Sequence, residues 1–258
     1  MIDLHCHVLP GIDDGPATLE ESLDLARVAR RAGLTTLVAT PHVSWRYANG
    51  PEVIRHGVEA IRSAVRAERI DLEVRPGAEI GLSRLGDLSD DELCSLRLGD
   101  GPWLMIESPL TSGVGNLETI LDAIHRRGHW IVLAHPERSP VFLREPRRLG
   151  SLVSRGMLCS ITAGSLVGVF GSDVRRFALA LIREGLVHNV TSDAHDAVHR
   201  PPVLRSDILA AASDAPDLSE LSARVEWLTH EVPRAILEGD VLPKPPTASP
   251  LARVRARR

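Results

Sequence analysis

Short apolar runs of strand length recur along this chain, and helix-patterned stretches separate almost all of them. The runs are Ile2–His7, Thr35–Ala39, Asp71–Arg75, Trp103–Ile106, Trp130–Ala134, Met157–Thr162 and Val187–Thr191. Strands joined through helices return in the same direction and therefore pair in parallel. Seven such units predict an α/β fold closed into a barrel. An open doubly wound sheet is the alternative. Its Gly-rich first turn has no counterpart in Leu9-Pro-Gly-Ile-Asp-Asp-Gly15.

The intervening helices carry their own signals. Thr18-Leu-Glu-Glu21 is a capping-box pattern, predicting a helix that buries Leu19, Leu23, Ala26 and Ala29 and stops at Gly33. Further helices are expected over 51–69, 116–127, 146–155 and 173–184, with helical segments from 203 to about 239. Ile2–His7 reads as a half-buried strand, and the segment before Trp103 as irregular. No linker or internal repeat interrupts residues 1–242, which are expected to be a single domain. Residues 243–258, rich in Pro and Arg, read as a disordered tail.

Charge narrows the partners. The net charge is −4, and the five cations of the tail, Lys244, Arg253, Arg255, Arg257 and Arg258, leave residues 1–242 at −9. A globally basic nucleic-acid surface is thereby disfavoured. No apolar run approaches the ~20 residues of a membrane span. Three cysteines, Cys6, Cys94 and Cys159, are odd in number and widely spaced. With no signal-peptide pattern at the start, this predicts a reducing, cytoplasmic setting.

The chemistry gathers where the strands end. His5 and His7 lie two apart, so a strand sends both imidazoles to one side. Asp13 and Asp14 follow in a Gly-bracketed turn that can bring a carboxylate to the same place. Other strand ends carry His42, Glu79, Glu107, His135, Asp193 and His195. In a βα barrel those ends open onto one face. Five imidazoles and four carboxylates, counting Asp14, exceed what one ion needs and suit a cluster of two or three. Hard oxygen donors with imidazole and no thiolate favour manganese, iron or zinc. The remaining histidines, His56, His125, His129, His188, His199 and His230, fall on helices, helix ends or strand starts and read as structural.

Two other routes to phosphate chemistry are absent. Ile12, Asp100 and Ser165 stand six residues after the three cysteines where a nucleophilic-cysteine loop needs Arg. There is no Gly-x-x-x-x-Gly-Lys-Ser/Thr cradle either.

The stretches MIDLHCHVLPGIDDGPATLEESL, ATPH, PGAEI, IESP, LAHPER and SDAHDAVHRPP resemble the PHP (polymerase and histidinol phosphatase) superfamily. Within it, the Gly-Ile-Asp-Asp-Gly and His-Pro-Glu-Arg runs are similar to the bacterial CpsB/CapC/YwqE group of manganese-dependent protein-tyrosine phosphatases. The resemblance spans about residues 1–240. It implies a distorted (β/α)7 barrel holding three metals. One ion would take His5, His7, Glu79 and Asp193, a second Glu79, Glu107 and His135, and a third Asp14, His42 and His195. Arg138 and Arg200 match the positions that grip the phosphate. The implied substrate is phosphotyrosine on a protein, expected to be a bacterial tyrosine kinase controlling capsule or exopolysaccharide synthesis.

The resemblance leaves competing functions to weigh. A small-molecule phosphoesterase such as histidinol phosphatase is the alternative within the chemistry. A non-catalytic, metal-stabilised phosphoprotein binder would call for damaged ligands, and none is damaged. Trp45, Arg46 and Tyr47 crowd beside His42 in a chain only 3% aromatic. They suit a substrate-facing lid or a surface-packed loop.

Overall fold

The computed structural model describes residues 1–246. Every named strand pairs in parallel. The chain opens with β1 (Ile2–Cys6), α1 (Leu19–Arg31), β2 (Thr36–Ala39), β3 (His42–Val43) and α2 (Pro51–Ala67). It continues through β4 (Glu73–Pro76), β5 (Glu79–Ile80), α3 (Asp90–Ser95), β6 (Trp103–Glu107), α4 (Leu117–Arg126) and β7 (Trp130–Ala134). Then come α5 (Pro140–Arg144), α6 (Pro146–Ser154), β8 (Leu158–Thr162), α7 (Ala163–Leu166), α8 (Ser172–Arg183) and β9 (Asn189–Thr191). The last elements are α9 (Arg205–Asp214) and α10 (Val232–Glu238). Between these two lie a 3-10 stretch and a π turn, where the sequence suggested ordinary helix.

The strands form two sheets, of order β1-β2-β4 and β3-β5-β6-β7-β8-β9. Strands expected to end at Ala39 and Arg75 instead break and resume, as β3 and β5, in the second sheet. Pro41 has no N–H to continue the first ladder. At Gly77 a Cβ would stand 2.8 Å from Val38 and 3.0 Å from Leu98, so only glycine passes there without displacement. His42 and Glu79 are consequently strand residues, paired with each other in register, and not turn residues. Beyond β9 the chain meets β1 again. Asp193 N–H donates to the His5 carbonyl and His7 N–H to the Ala194 carbonyl, each at 2.9 Å.

Three local expectations need correction. Ile2–Cys6 is buried throughout rather than half-buried, because helices cover one side and the polar cluster fills the other. Leu19 is 43% exposed, since at the first helical position it lies beyond the buried stripe of Leu23, Leu25, Ala26 and Ala29. The supposedly irregular segment contains α3, whose Ser89 and Glu92 make a second capping box. The Thr18/Glu21 box forms as expected, with Glu21 N–H donating to Thr18 Oγ1 at 3.3 Å. A continuous apolar core runs from Ile2 to Leu237. No helix among the described residues is long and apolar enough to cross a membrane. Most of the tail read as disordered, residues 247–258, lies outside the described residues.

Candidate active site

The site begins with β1. His5 and His7 are fully buried and their Nε2 atoms stand 3.3 Å apart. Glu79 Oε2, delivered by β5, lies 3.3 Å from His5 Nε2 and 3.5 Å from His7 Nε2. Asp193 Oδ1 closes the group at 3.5 and 3.4 Å from the same two nitrogens. Each carboxylate oxygen thus lies within 3.5 Å of both imidazole nitrogens, a spacing in which a cation can draw on both rings and a carboxylate.

The other donors adjoin this group. His135 Nε2 lies 2.7 Å from Glu79 Oε1, and His42 Nδ1 lies 3.0 Å from Glu79 Oε2. Asp14 Oδ1 sits 3.3 Å from His195 Nε2 and 3.5 Å from His42 Nε2. Donor atoms also converge within 4.8 Å in the set His42, Glu79 and Glu107, and in the set His5, Glu79 and His135. All nine residues singled out in the sequence are thus neighbours, with Glu79 shared among several groups. Two of the expected sets are divided: Glu107 groups with His42 and His135 with His5, and Glu79 stands outside the group of His5, His7 and Asp193, although its Oε2 lies within 3.5 Å of both imidazoles.

This interior suits cations better than protons. Glu79 Oε2 has three imidazole nitrogens 3.0–3.5 Å away but no well-formed hydrogen bond from any described residue. His5 Nδ1 and His135 Nδ1 are likewise buried without hydrogen-bond partners among the described residues. Of these, the Glu79 oxygen faces the converging imidazole Nε2 atoms of His5 and His7 and Nδ1 of His42, and a buried carboxylate oxygen in that setting needs positive charge. Burial would raise the Glu79 carboxyl, but His5 and His135 overcome that and hold it well below the usual range. Glu107 moves the other way, raised by burial and by the Glu79 charge beside it. Burial would also raise Asp193, yet His5 and the His7 hydrogen bond keep it well below normal.

Backbone geometry aims two of these side chains. His135 and Asp193 adopt positive φ, 35° and 52°, a left-handed conformation uncommon for non-glycine residues. Each sits where the chain leaves a strand, so the turn swings its side chain back over the strand ends.

Arg138 and Arg200 arrive from the loops after β7 and β9. Arg138 Nη1 and Arg200 Nη2 each donate to Asp193 Oδ2 at 2.5 Å. Asp193 therefore faces the donor cluster with one oxygen and two guanidinium groups with the other. Trp45, Arg46 and Tyr47 occupy a tight turn, pinned by Ser44 N–H donating to the Tyr47 carbonyl at 2.9 Å. Tyr47 stacks on His42 with centroids 5.5 Å apart, and Arg46 lies 5.1 Å over the Tyr47 ring. Trp45 projects outward, 76% exposed. His199 is 87% exposed at its side chain and outside every donor group.

Three supporting roles escaped the sequence reading. Asp13 Oδ2 accepts from His7 Nδ1 at 2.8 Å and from His42 N–H at 3.1 Å. Asp3 accepts from Ser192 and from His5 N–H, fastening β1 to the end of β9. Glu137 Oε1 accepts from Thr162 N–H at 2.9 Å and Ser165 Oγ at 2.7 Å. The available signals were the Asp-x-His-x-His alternation for Asp3 and the doubled Asp13-Asp14.

A family model described as capsular polysaccharide synthesis, CpsB/CapC, matches residues 1–214. The chain belongs to the CpsB/CapC family. Tyrosine-protein phosphatase YwqE of Bacillus subtilis (strain 168) is 36% identical over 203 residues, covering 78% of this chain and 79% of YwqE. Tyrosine-protein phosphatase CpsB of Streptococcus pneumoniae is 30% identical over 231 residues, covering 86% and 94%. A chain from the crystal structures of YwqE from Bacillus subtilis and CpsB from Streptococcus pneumoniae, described as unique metal-dependent tyrosine phosphatases, superposes with a TM-score of 0.83. Its identity is 31%, and the match covers 96% of this chain and 100% of that one. A β-aspartyl dipeptidase from Fervidobacterium islandicum AW-1, 12% identical with a TM-score of 0.55, shares the fold alone; the match covers 92% of this chain and 72% of that one.

Proposed function

We propose that this family member is a metal-dependent protein-tyrosine phosphatase that hydrolyses phosphotyrosine. The observation that carries the reading is the double role of Asp193, whose Oδ1 joins the donor cluster while Oδ2 holds Arg138 and Arg200. Two guanidinium groups suited to a phosphate lying next to donors suited to a cation support this reading.

The metal ligands are His5, His7, Asp14, His42, Glu79, Glu107, His135, Asp193 and His195, holding up to three ions, with manganese as the native metal. Such ions supply Lewis acidity and make water a better nucleophile near neutral pH. Arg138 and Arg200 hold the phosphoryl oxygens in a fixed orientation through planar, paired donors. Their fixed positive charge favours the transition state as charge redistributes across the phosphoryl group. Tyr47, Trp45 and Arg46 lie where the aryl ring and flanking peptide would approach. Residues 1–242 form the catalytic unit. The two sheets act as one distorted (β/α)7 barrel, supported by the β1 to β9 hydrogen bonds and by β3 and β5 resuming β2 and β4. The partner is a bacterial tyrosine kinase of capsule or exopolysaccharide synthesis, supported by the family's description. Free cysteines at Cys6, Cys94 and Cys159 suit a cytoplasmic setting.

The test is purified protein assayed on a phosphotyrosine peptide, a phosphoserine peptide and histidinol phosphate. Chelation should abolish turnover of the phosphotyrosine peptide, and manganese should restore it. His5→Ala and Glu79→Ala should lower metal content together with rate. Preference for histidinol phosphate, or full turnover after verified metal removal, would overturn the assignment.

A further inference from the structure

Arg138 and Arg200 share one oxygen of Asp193 and repel each other as like charges, so a second group that attracts both helps keep them side by side. The residue positioned to do so is Phe170. The Arg138 guanidinium carbon lies 4.3 Å from the Phe170 ring centroid, and that of Arg200 lies 5.8 Å away. Both are within reach of a ring's negative face, which attracts cations over ~6 Å.

We infer that Phe170 is a positioning residue for phosphate recognition, its ring holding both guanidinium groups without taking any of the N–H donors that Asp193 leaves for the phosphoryl oxygens. This rests on the reading above that Arg138 and Arg200 bind phosphate. A carboxylate in the same place would orient the arginines too, but it would occupy their donors and cancel the charge a phosphate needs. An aromatic ring orients a guanidinium without taking its hydrogen bonds.

The surrounding loop is built to hold the ring. Phe170 follows α7, where Val169 N–H donates to the Gly164 carbonyl at 2.9 Å and Gly171 N–H to the Gly168 carbonyl at 3.0 Å. Gly168 and Gly171 take φ of 89° and 96°, values that favour glycine. A Cβ on Gly164 would stand 3.2 Å from Val169 and 3.6 Å from Phe170, so the loop folds tightly onto α7. Glu137, the neighbour of Arg138, accepts from Thr162 N–H at the end of β8 and from Ser165 Oγ within α7. The turn bearing Arg138 is therefore fixed both to α7, by a buried carboxylate, and to the loop that follows it, by the cation–ring contact. Phe170 itself is only partly buried, so its replacement leaves the apolar core intact.

The experiment compares Phe170→Leu, which keeps apolar bulk without a ring, with Phe170→Tyr, which restores the ring. Metal-loaded proteins are measured for metal content, thermal midpoint, inhibition by inorganic phosphate, and kcat and KM on a small aryl phosphate. Arg200→Met runs alongside. Phe170→Leu should weaken phosphate inhibition and lower kcat/KM about tenfold, with unchanged metal content and midpoint, and Phe170→Tyr should recover most of both. Inorganic phosphate has no ring, so a Phe170→Leu protein with raised KM but normal phosphate inhibition would show a substrate contact instead and overturn the proposal. Equal losses in the Leu and Tyr variants would also overturn it. If Arg200→Met leaves phosphate inhibition intact, the arginine reading fails. If Arg200→Met weakens it and Phe170→Leu does not, only the role of Phe170 falls.

Discussion

Asp13 Oδ2 accepts a hydrogen bond from His7 Nδ1 at 2.8 Å, so in the neutral ring the lone pair of Nε2 is turned toward Glu79 and Asp193. A carboxylate behind a ligating imidazole fixes its tautomer and raises its basicity. Asp13 is itself fixed by Gly15 N–H at 2.9 Å and His42 N–H at 3.1 Å. Asp13→Asn should weaken manganese binding by about 10–100-fold. Titrating metal-free protein by calorimetry checks this, and unchanged affinity would remove Asp13 from the site.

Much of this site could be read in the sequence because each donor follows a recognisable strand run. Strand ends locate residues only to within the turn, so the resemblance and not the spacing chose Asp14 over Asp13, and the supporting role of Asp13 appeared only with its partners His7 and His42. Phe170 lay out of reach, since nothing local distinguishes one partly buried aromatic from another. Its role depends on Arg138 and Arg200, from elements distant in sequence. The break at Gly77 was also hidden. Pro76-Gly77 reads as the end of a strand, and only the closeness of Val38 and Leu98 shows that the chain passes through and resumes as β5.

Trp45 and Tyr47 share a turn but should behave differently. Trp45 is 76% exposed, so Trp45→Ala removes little packing within the protein. Exposed tryptophan beside a site is a common anchor for a protein partner. The variant should raise KM for a phosphopeptide several-fold while leaving KM for a small aryl phosphate unchanged. Tyr47 stacks on His42, so Tyr47→Ala should impair both substrates. Equal sensitivity of the two substrates to Trp45→Ala would mark a loop without a docking role.

Arg200→Met separates phosphate recognition from metal binding. Arg138 remains to engage Asp193 Oδ2, so the donor cluster keeps its outer support. Metal content and fold should therefore persist while turnover falls. Losing one transition-state donor costs ~3 kcal/mol, roughly a hundredfold or more in rate. Arg200→Lys should recover only part, because an ammonium keeps the charge without the planar fork. Near-normal kcat/KM in Arg200→Met with full metal would reduce Arg200 to a surface ion pair.

His188 gives the fold a pH dependence separate from the metal donors. Its Nδ1 accepts the Cys159 N–H at 3.1 Å where β8 runs beside the approach to β9, a bond that only an unprotonated nitrogen makes. Burial pushes the imidazole down to about 4. The unfolded chain, with His near 6.5, binds the proton more readily, so stability is full above about pH 6.5 and declines as pH falls toward 4. A shift of this size is worth about 3 kcal/mol in full, most of it expressed by pH 4. Asp3, pushed up to about 6 by burial, contributes with the opposite sign. Comparing the wild type with His188→Asn cancels that contribution, because the amide oxygen can accept the same N–H without titrating. In urea unfolding of both proteins from pH 7 to 4, the advantage of the wild type should shrink by about 2–3 kcal/mol. Parallel curves would show that His188 is protonated as easily in the folded chain as in the unfolded one.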